Sequence, residues 1–167
     1  PIHQLWGTDW TPSTSTPICD YTLGIDPIDK MVQKMKAHPW PIYKVKVGTD
    51  YDVEMITELR KHTDKPLRVD ANAGWTTDEA RLKIPAMAAL GVELIEQPLA
   101  KDNWEGMKRL KKESVLPIIA DESCITESDV AQCAEYFHGI NIKLMKCGGI
   151  TPALRMIQQG RNLGLKI

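Results

Sequence analysis

The sequence predicts an α/β fold in which βα units are laid side by side around a parallel sheet. Three observations carry that prediction. From about residue 20 onward, short β-branched runs alternate with longer segments of helical period. Helix start and stop signals fall between the runs. Charged residues recur at the carboxyl ends of the apolar runs, 22 to 26 residues apart, which is close to the length of one βα unit.

The elements follow in order. Residues 1–18, with Trp6, Trp10 and a Thr/Ser/Pro-rich run from Thr11 to Pro17, read as a helix end and a linker entering the sheet. YTLGI (Tyr21 to Ile25) is the first strand, and Asp26-Pro27 then supplies an N-cap and a first-turn proline. IYKVKV (Ile42 to Val47) and PLRVDAN (Pro66 to Asn72) are the second and third strands. Thr76-x-x-Glu79 is a capping box, and Pro85 inside the helix that follows predicts a kink. ELIEQ (Glu93 to Gln97) and PIIADES (Pro117 to Ser123) are the fourth and fifth strands, with Thr126-x-x-Asp129 a looser box after them. INIKLM (Ile140 to Met145) is the sixth, Thr151-Pro152 opens another helix, and a seventh strand begins at Leu165. Gly91, Gly139 and Gly164 stand where helices should end.

Composition narrows the function. The chain has 167 residues, 43% of them hydrophobic and 26% charged, enough to bury a core. No stretch approaches the ~18 consecutive apolar residues of a membrane span. With 21 Lys+Arg against 22 Asp+Glu there is no basic excess to neutralise a nucleic acid. The four cysteines form no C-x-x-C pair and no basic-apolar leader opens the sequence, so a reducing cytoplasm is the expected compartment.

The strand ends concentrate the chemistry. They supply Lys44 and Lys46, then Asp70 and Asn72, then Glu96, Asp121 and Lys143. Residues two apart share a face of a strand, so Lys44 and Lys46 project together while Val45 and Val47 turn to the helices. If the sheet curls, three carboxylates converge at one mouth, flanked by lysines. Like charges raise one another's pKa, and a divalent cation resolves the conflict. Oxygen ligands without Cys or His suit Mg2+. For any one of these residues, an ion pair or a solvated loop edge is the simpler reading; five strands in phase favour a site. Lys44 as a neighbouring cation is expected to lower the pKa of Lys46 towards that of a general base. Lys146 reads as a surface or salt-bridge lysine, and His138 as a cation at a helix C-terminus. Gly148-Gly149 reads as a tight turn, and Cys124 and Cys147 as small fillers near the mouth. His3, His38 and His62 fall away from the strand ends.

KVKVG (Lys44 to Gly48), VDANAGW (Val69 to Trp75), IEQP (Ile95 to Pro98), ADES (Ala120 to Ser123) and INIKLMKCGGI (Ile140 to Ile150) resemble the enolase superfamily in its muconate-lactonizing-enzyme subgroup. Within it the sequence is most similar to the dipeptide epimerases of the L-Ala-D/L-Glu type. The resemblance implies a TIM-type (β/α)7β barrel, present here in part, with about six strands. Residues 1–18 would end an N-terminal capping domain and residues 19–167 would form the partial barrel, roughly two-thirds of a typical ~250-residue barrel. It places the metal ligands on Asp70, Glu96 and Asp121, with Asn72 supporting them, and the two acid/base lysines on Lys46 and Lys143, with Lys44 beside Lys46. It implies Mg2+ as cofactor and inversion of an α-carbon through an enediolate, with one lysine removing the proton and the other returning one. The substrate would be a dipeptide or N-acyl amino acid, and the assembly a homo-oligomer. The acidic D-x-D motif that receives the substrate ammonium in such epimerases lies after residue 167.

Other readings stay open at this point. o-Succinylbenzoate synthase, N-succinylamino acid racemase and cycloisomerase activities use the same lysines and carboxylates. A Schiff-base aldolase would use Lys46 or Lys143 as nucleophile but leaves the three carboxylates without a purpose. A metal-binding structural fragment is the non-enzymatic alternative.

Overall fold

The computed structural model describes residues 17–167. Over that stretch the elements run β1 (Tyr21–Leu23), α1 (Ile28–Ala37), β2 (Tyr43–Lys46), α2 (Asp52–Arg60), β3 (Leu67–Asp70), α3 (Thr77–Ala89), β4 (Val92–Glu96), α4 (Trp104–Glu113), β5 (Ile118–Ala120), α5 (Asp129–Tyr136), β6 (Gly139–Ile140), α6 (Leu144–Cys147) and α7 (Ile150–Asn162). All six strands pair in parallel in the order β1-β2-β3-β4-β5-β6. Lys166 makes a parallel bridge to Gly139, at the place where the sequence puts a seventh strand. The expected capping segment falls almost wholly outside the described residues.

Strand alternation sorts the side chains into two layers. Leu23, Tyr43, Val45, Leu67, Val69, Ile95, Ile118, Ala120 and Ile140 belong to the core packed between sheet and helices. Arg60 ties the helix layer together: its guanidinium donates to the carbonyls of Leu90, Gly91, Thr63 and Lys65. On the other face the register sets Lys44 beside Arg68 and Lys46 beside Asp70, with Asp70 in turn beside Glu96.

Several local expectations change. The strands are shorter than their apolar runs, because Asn72, Ala73 and Gln97 turn into positive φ just past the last paired residues. Pro27 rather than Asp26 is the N-cap of α1, and α7 starts at Ile150 behind Gly149, which leaves Pro152 within the first turn where its missing N–H costs nothing. The Thr76/Glu79 capping box forms in full. Asp129 reaches back instead of being capped, its carboxylate accepting from the backbone of Ile125 and Thr126. Helix α3 runs on across Pro85 from Thr77 to Ala89. Gly139 does not end a helix. It lies in β6, where a Cβ would come within 2.6 Å of the Lys166 carbonyl and 2.7 Å of the Ile119 side chain. β6 itself stops at Ile140, and Lys143 becomes the N-cap of the one-turn α6.

Candidate active site

The strand ends of β2 to β5 and the segment after β6 bring the expected residues to one rim. Asp70 and Asp121 are fully buried and Glu96 nearly so. Lys46, Asp70 and Glu96 are direct register neighbours. Asp121 is not level with them: the partner of Glu96 is Ile119, so Asp121 stands two residues further along, the stagger a curling parallel sheet imposes.

Lysines meet these carboxylates. The Lys44 ammonium bridges Asp70 Oδ2 at 2.9 Å and Glu96 Oε2 at 2.7 Å. Lys46 donates to Asp70 Oδ2 at 2.6 Å and to Asn72 Oδ1 at 2.9 Å. Lys143 donates to Asp121 Oδ2, and Lys146 donates to Asp121 Oδ1 at 2.7 Å. Lys146 therefore does belong to a salt bridge, but one inside the site. Asn141, two residues before Lys143, donates its amide to Glu96 Oε1 at 2.9 Å. Asn72 also donates to Glu122 Oε1, while Glu122 Oε2 is the one buried side-chain polar atom without a partner among the described residues.

Two of the lysines take their electrostatics from the carboxylates they meet. Burial pushes Lys44 down, but hydrogen bonds and charge from Glu96 and Asp70 outweigh it and hold the amine above the ordinary lysine range. Lys143 is raised in the same way: burial lowers it and Asp121 more than reverses the effect. Burial pushes Asp70 up, and the bonds from Lys46 and Lys44 bring it below the ordinary carboxylate range. Neighbouring carboxylates, rather than neighbouring cations, dominate these lysines.

Two supports carry no signal that the alternation rule picks up. Gln97, fully buried at the end of β4 with φ +35°, accepts at Oε1 from the backbone N–H groups of Asp121 (2.9 Å) and Ser123 (3.1 Å). Its Nε2 donates to the Leu99 carbonyl and to Ser123 Oγ. Past β3 and β4 the irregular backbone stays paired: the N–H groups of Ala71, Ala73 and Trp75 donate to the carbonyls of Glu96, Gln97 and Pro98.

The weaker candidates resolve simply. His138 is no helix cation: its Nδ1 accepts from the Ile118 N–H at 3.1 Å, and burial with the nearby Lys111 charge lowers its pKa, so it is a neutral pin between β5 and β6. Cys124 is core, Cys147 is half-buried, and Gly148 and Gly149 take positive φ in the turn from α6 to α7.

Among the described residues no three His, Cys, Asp or Glu side chains stand close enough to hold one ion. The donor set nevertheless suits a hard cation: three buried carboxylates on successive strand ends, no Cys or His, and an unpartnered acceptor at the rim.

The family model for enolase C-terminal domain-like proteins matches residues 28–167. An L-Ala-D/L-amino acid epimerase from Maribacter sp. (strain HTCC2170) is 53% identical over the whole of this chain and 49% of its own length. A dipeptide epimerase structure from Enterococcus faecalis V583, complexed with Mg and the dipeptide L-Leu-L-Tyr, is 37% identical with a TM-score of 0.85, covering 89% of this chain and 45% of that one. Muconate cycloisomerase from Pseudomonas fluorescens superposes with a TM-score of 0.88 at 28% identity, covering 99% of this chain and 48% of that one. The chain spans about half the length of the curated relatives it matches.

Proposed function

The chain belongs to the enolase C-terminal domain-like family, and from that membership we propose that it is the central part of a Mg2+-dependent dipeptide epimerase. The observation that carries the reading is the row of buried carboxylates Asp70, Glu96 and Asp121 with lysines at both ends. The similarity to named dipeptide epimerases supports it.

Asp70, Glu96 and Asp121 would hold the cation, which supplies positive charge beside the substrate carboxylate and so makes the α-proton easier to remove. Carboxylates that held the cation would have less hold on Lys46 and Lys143, the two amines placed to move protons. Lys46 or Lys143, as the neutral amine, takes the α-proton, and the C–H electron pair stays on the substrate. The opposite lysine, as ammonium, gives its proton to the other face of the same carbon, and the configuration inverts. Lys44 supplies fixed positive charge beside Lys46, and Asn72 steers Lys46 through the bond at its Oδ1.

The reading extends to residues 1–18 as the end of a capping domain, residues 19–167 as a partial barrel, and a cytoplasmic homo-oligomer. No helix among the described residues is long and apolar enough to cross a membrane. The likeness to muconate cycloisomerase makes a cycloisomerase the second reading.

The test uses the intact protein. Asp70→Asn, Glu96→Gln and Asp121→Asn should each weaken Mg2+ binding by calorimetry and abolish dipeptide epimerisation with the fold retained. Lys46→Ala and Lys143→Ala should each lose epimerisation while still exchanging, in D2O, the α-proton of the one epimer that faces the surviving lysine. Unchanged Mg2+ isotherms in all three carboxylate variants, or two-way epimerisation in either lysine variant, would overturn the assignment.

A further inference from the structure

Asp52 is the most thoroughly bonded acid outside the strand-end row. It is fully buried at the start of α2 and packs behind the loop that follows Lys46. Its Oδ1 accepts from the backbone N–H of Gly48 (2.9 Å), the N–H of Thr49 (2.7 Å) and the Thr49 hydroxyl (2.7 Å). Its Oδ2 accepts from the Trp75 indole N–H and from the Lys83 ammonium, each at 2.8 Å. Lys83 also donates to the Thr49 carbonyl at 2.9 Å and lies over the Trp75 ring, 5.2 Å from its centroid. One carboxylate thus joins the loop after β2, the loop after β3 and helix α3.

The two loops are also pressed together. A Cβ on Gly74 would stand 2.9 Å from the Ala71 carbonyl and 3.4 Å from the Gly48 Cα, so only glycine lets the backbones meet there. Lys46 lies two residues before Gly48, and both of its acceptors, Asp70 and Asn72, lie just before Gly74. Strand pairing sets Lys46 beside Asp70, and the packing of the two loops sets its reach to Asn72. An ammonium on a flexible stem, more than a quarter exposed, has little else to fix it.

We propose that Asp52, through Gly48, Thr49, Trp75 and Lys83, is a positioning residue that sets the reach of Lys46, so that its loss impairs proton transfer on the Lys46 face and spares the Lys143 face. Lys143 and Lys146 hang from Asp121, on the far side of the row, and share no bond with the clamp. The inference rests on the two-lysine reading.

The experiment measures α-proton exchange of each dipeptide epimer in D2O by NMR, with the intact protein and Mg2+. Lys46→Ala and Lys143→Ala first identify which epimer each lysine serves. Asp52→Asn should then slow exchange of the Lys46-served epimer by roughly 10- to 100-fold relative to the other, the scale expected of a displacement near 1 Å. Trp75→Phe, which removes a single donor and keeps the ring, should shift the same ratio in the same direction and carries the test if Asp52→Asn does not fold. Equal slowing of both epimers marks a merely structural role and overturns the inference, as does an unchanged ratio. If the two alanine variants fail to separate the epimers, the two-lysine reading is what has failed, and the inference falls with it.

Discussion

Replacing Gln97 with Leu should cost the protein several kcal/mol and act on the Asp121 carboxylate through the backbone N–H that Gln97 holds. The side chains are similar in volume, so little of the cost comes from packing. What is lost is the pairing: the N–H groups of Asp121 and Ser123 lose their shared acceptor, and the Leu99 carbonyl and Ser123 hydroxyl lose their donor. A buried donor left without a partner costs about 1–3 kcal/mol. Two such donors give about 2–6 kcal/mol, and because Ser123 is 8% exposed and can be reached by water, the expected loss lies in the lower part, about 2–4 kcal/mol. Leu keeps the positive φ of residue 97, so no relief of strain offsets the loss. Urea unfolding of the intact protein reads it: with a slope of roughly 2–3 kcal/mol/M the midpoint should fall by about 1 M at unchanged slope. Mg2+ affinity should fall as well, since the backbone that aims Asp121 is no longer anchored. A midpoint within the scatter of the unsubstituted protein would refute the view that this amide holds the fifth strand end in place.

Stability should have two pH limbs. Asp70 and Asp52 have depressed folded pKa values, so their contribution is complete above the unfolded value of about 3.9 and is lost as pH falls through the folded values; Lys83→Met should make this acid limb of a melting-temperature profile shallower. Lys44 and Lys143 have raised folded pKa values, so their contribution is complete below about 10.4 and is lost as pH rises through the folded values, a limb that Lys44→Met should weaken. Gly74→Ala should cost about 1–3 kcal/mol in thermal unfolding, because its Cβ meets backbone rather than a movable side chain. Gly24→Ala, with nothing within 4 Å of the added atom, should stay within about 0.5 kcal/mol of the original and serves as the control.

The six strands and the residues at their ends were legible because a period of two and a period of one βα unit are both written in side-chain type. Asp70, Glu96 and the lysine pair stand where alternation puts them. The strand lengths were not legible, because a β-favouring run does not reveal that Asn72 and Ala73 turn to positive φ. The salt bridge expected of Lys146 is present, but its place in the site was not legible: counted along a strand it falls on the opposite face from Lys143, whereas the chain has by then become a helical turn, where residues three apart share a side. Gln97 and Asp52 did leave a trace. Each is a polar residue at a position whose neighbours are core, and a buried polar group demands partners. Which partners it finds depends on loops brought together from 23 to 26 residues away in sequence, which no local pattern records.

Every strand of this sheet is two sentences interleaved letter by letter. In β2 and β3, Tyr43, Val45, Leu67 and Val69 belong to the helix-facing core, while Lys44, Lys46, Arg68 and Asp70 between them meet one another, charged neighbours and Asn72. Substitutions in the first set act on the packing that holds the chain folded, and substitutions in the second act first on the charges the folded chain presents. The two can therefore drift at different rates. A lineage could rewrite the inward letters, and with them its chemistry, while the outward text keeps the same scaffold standing.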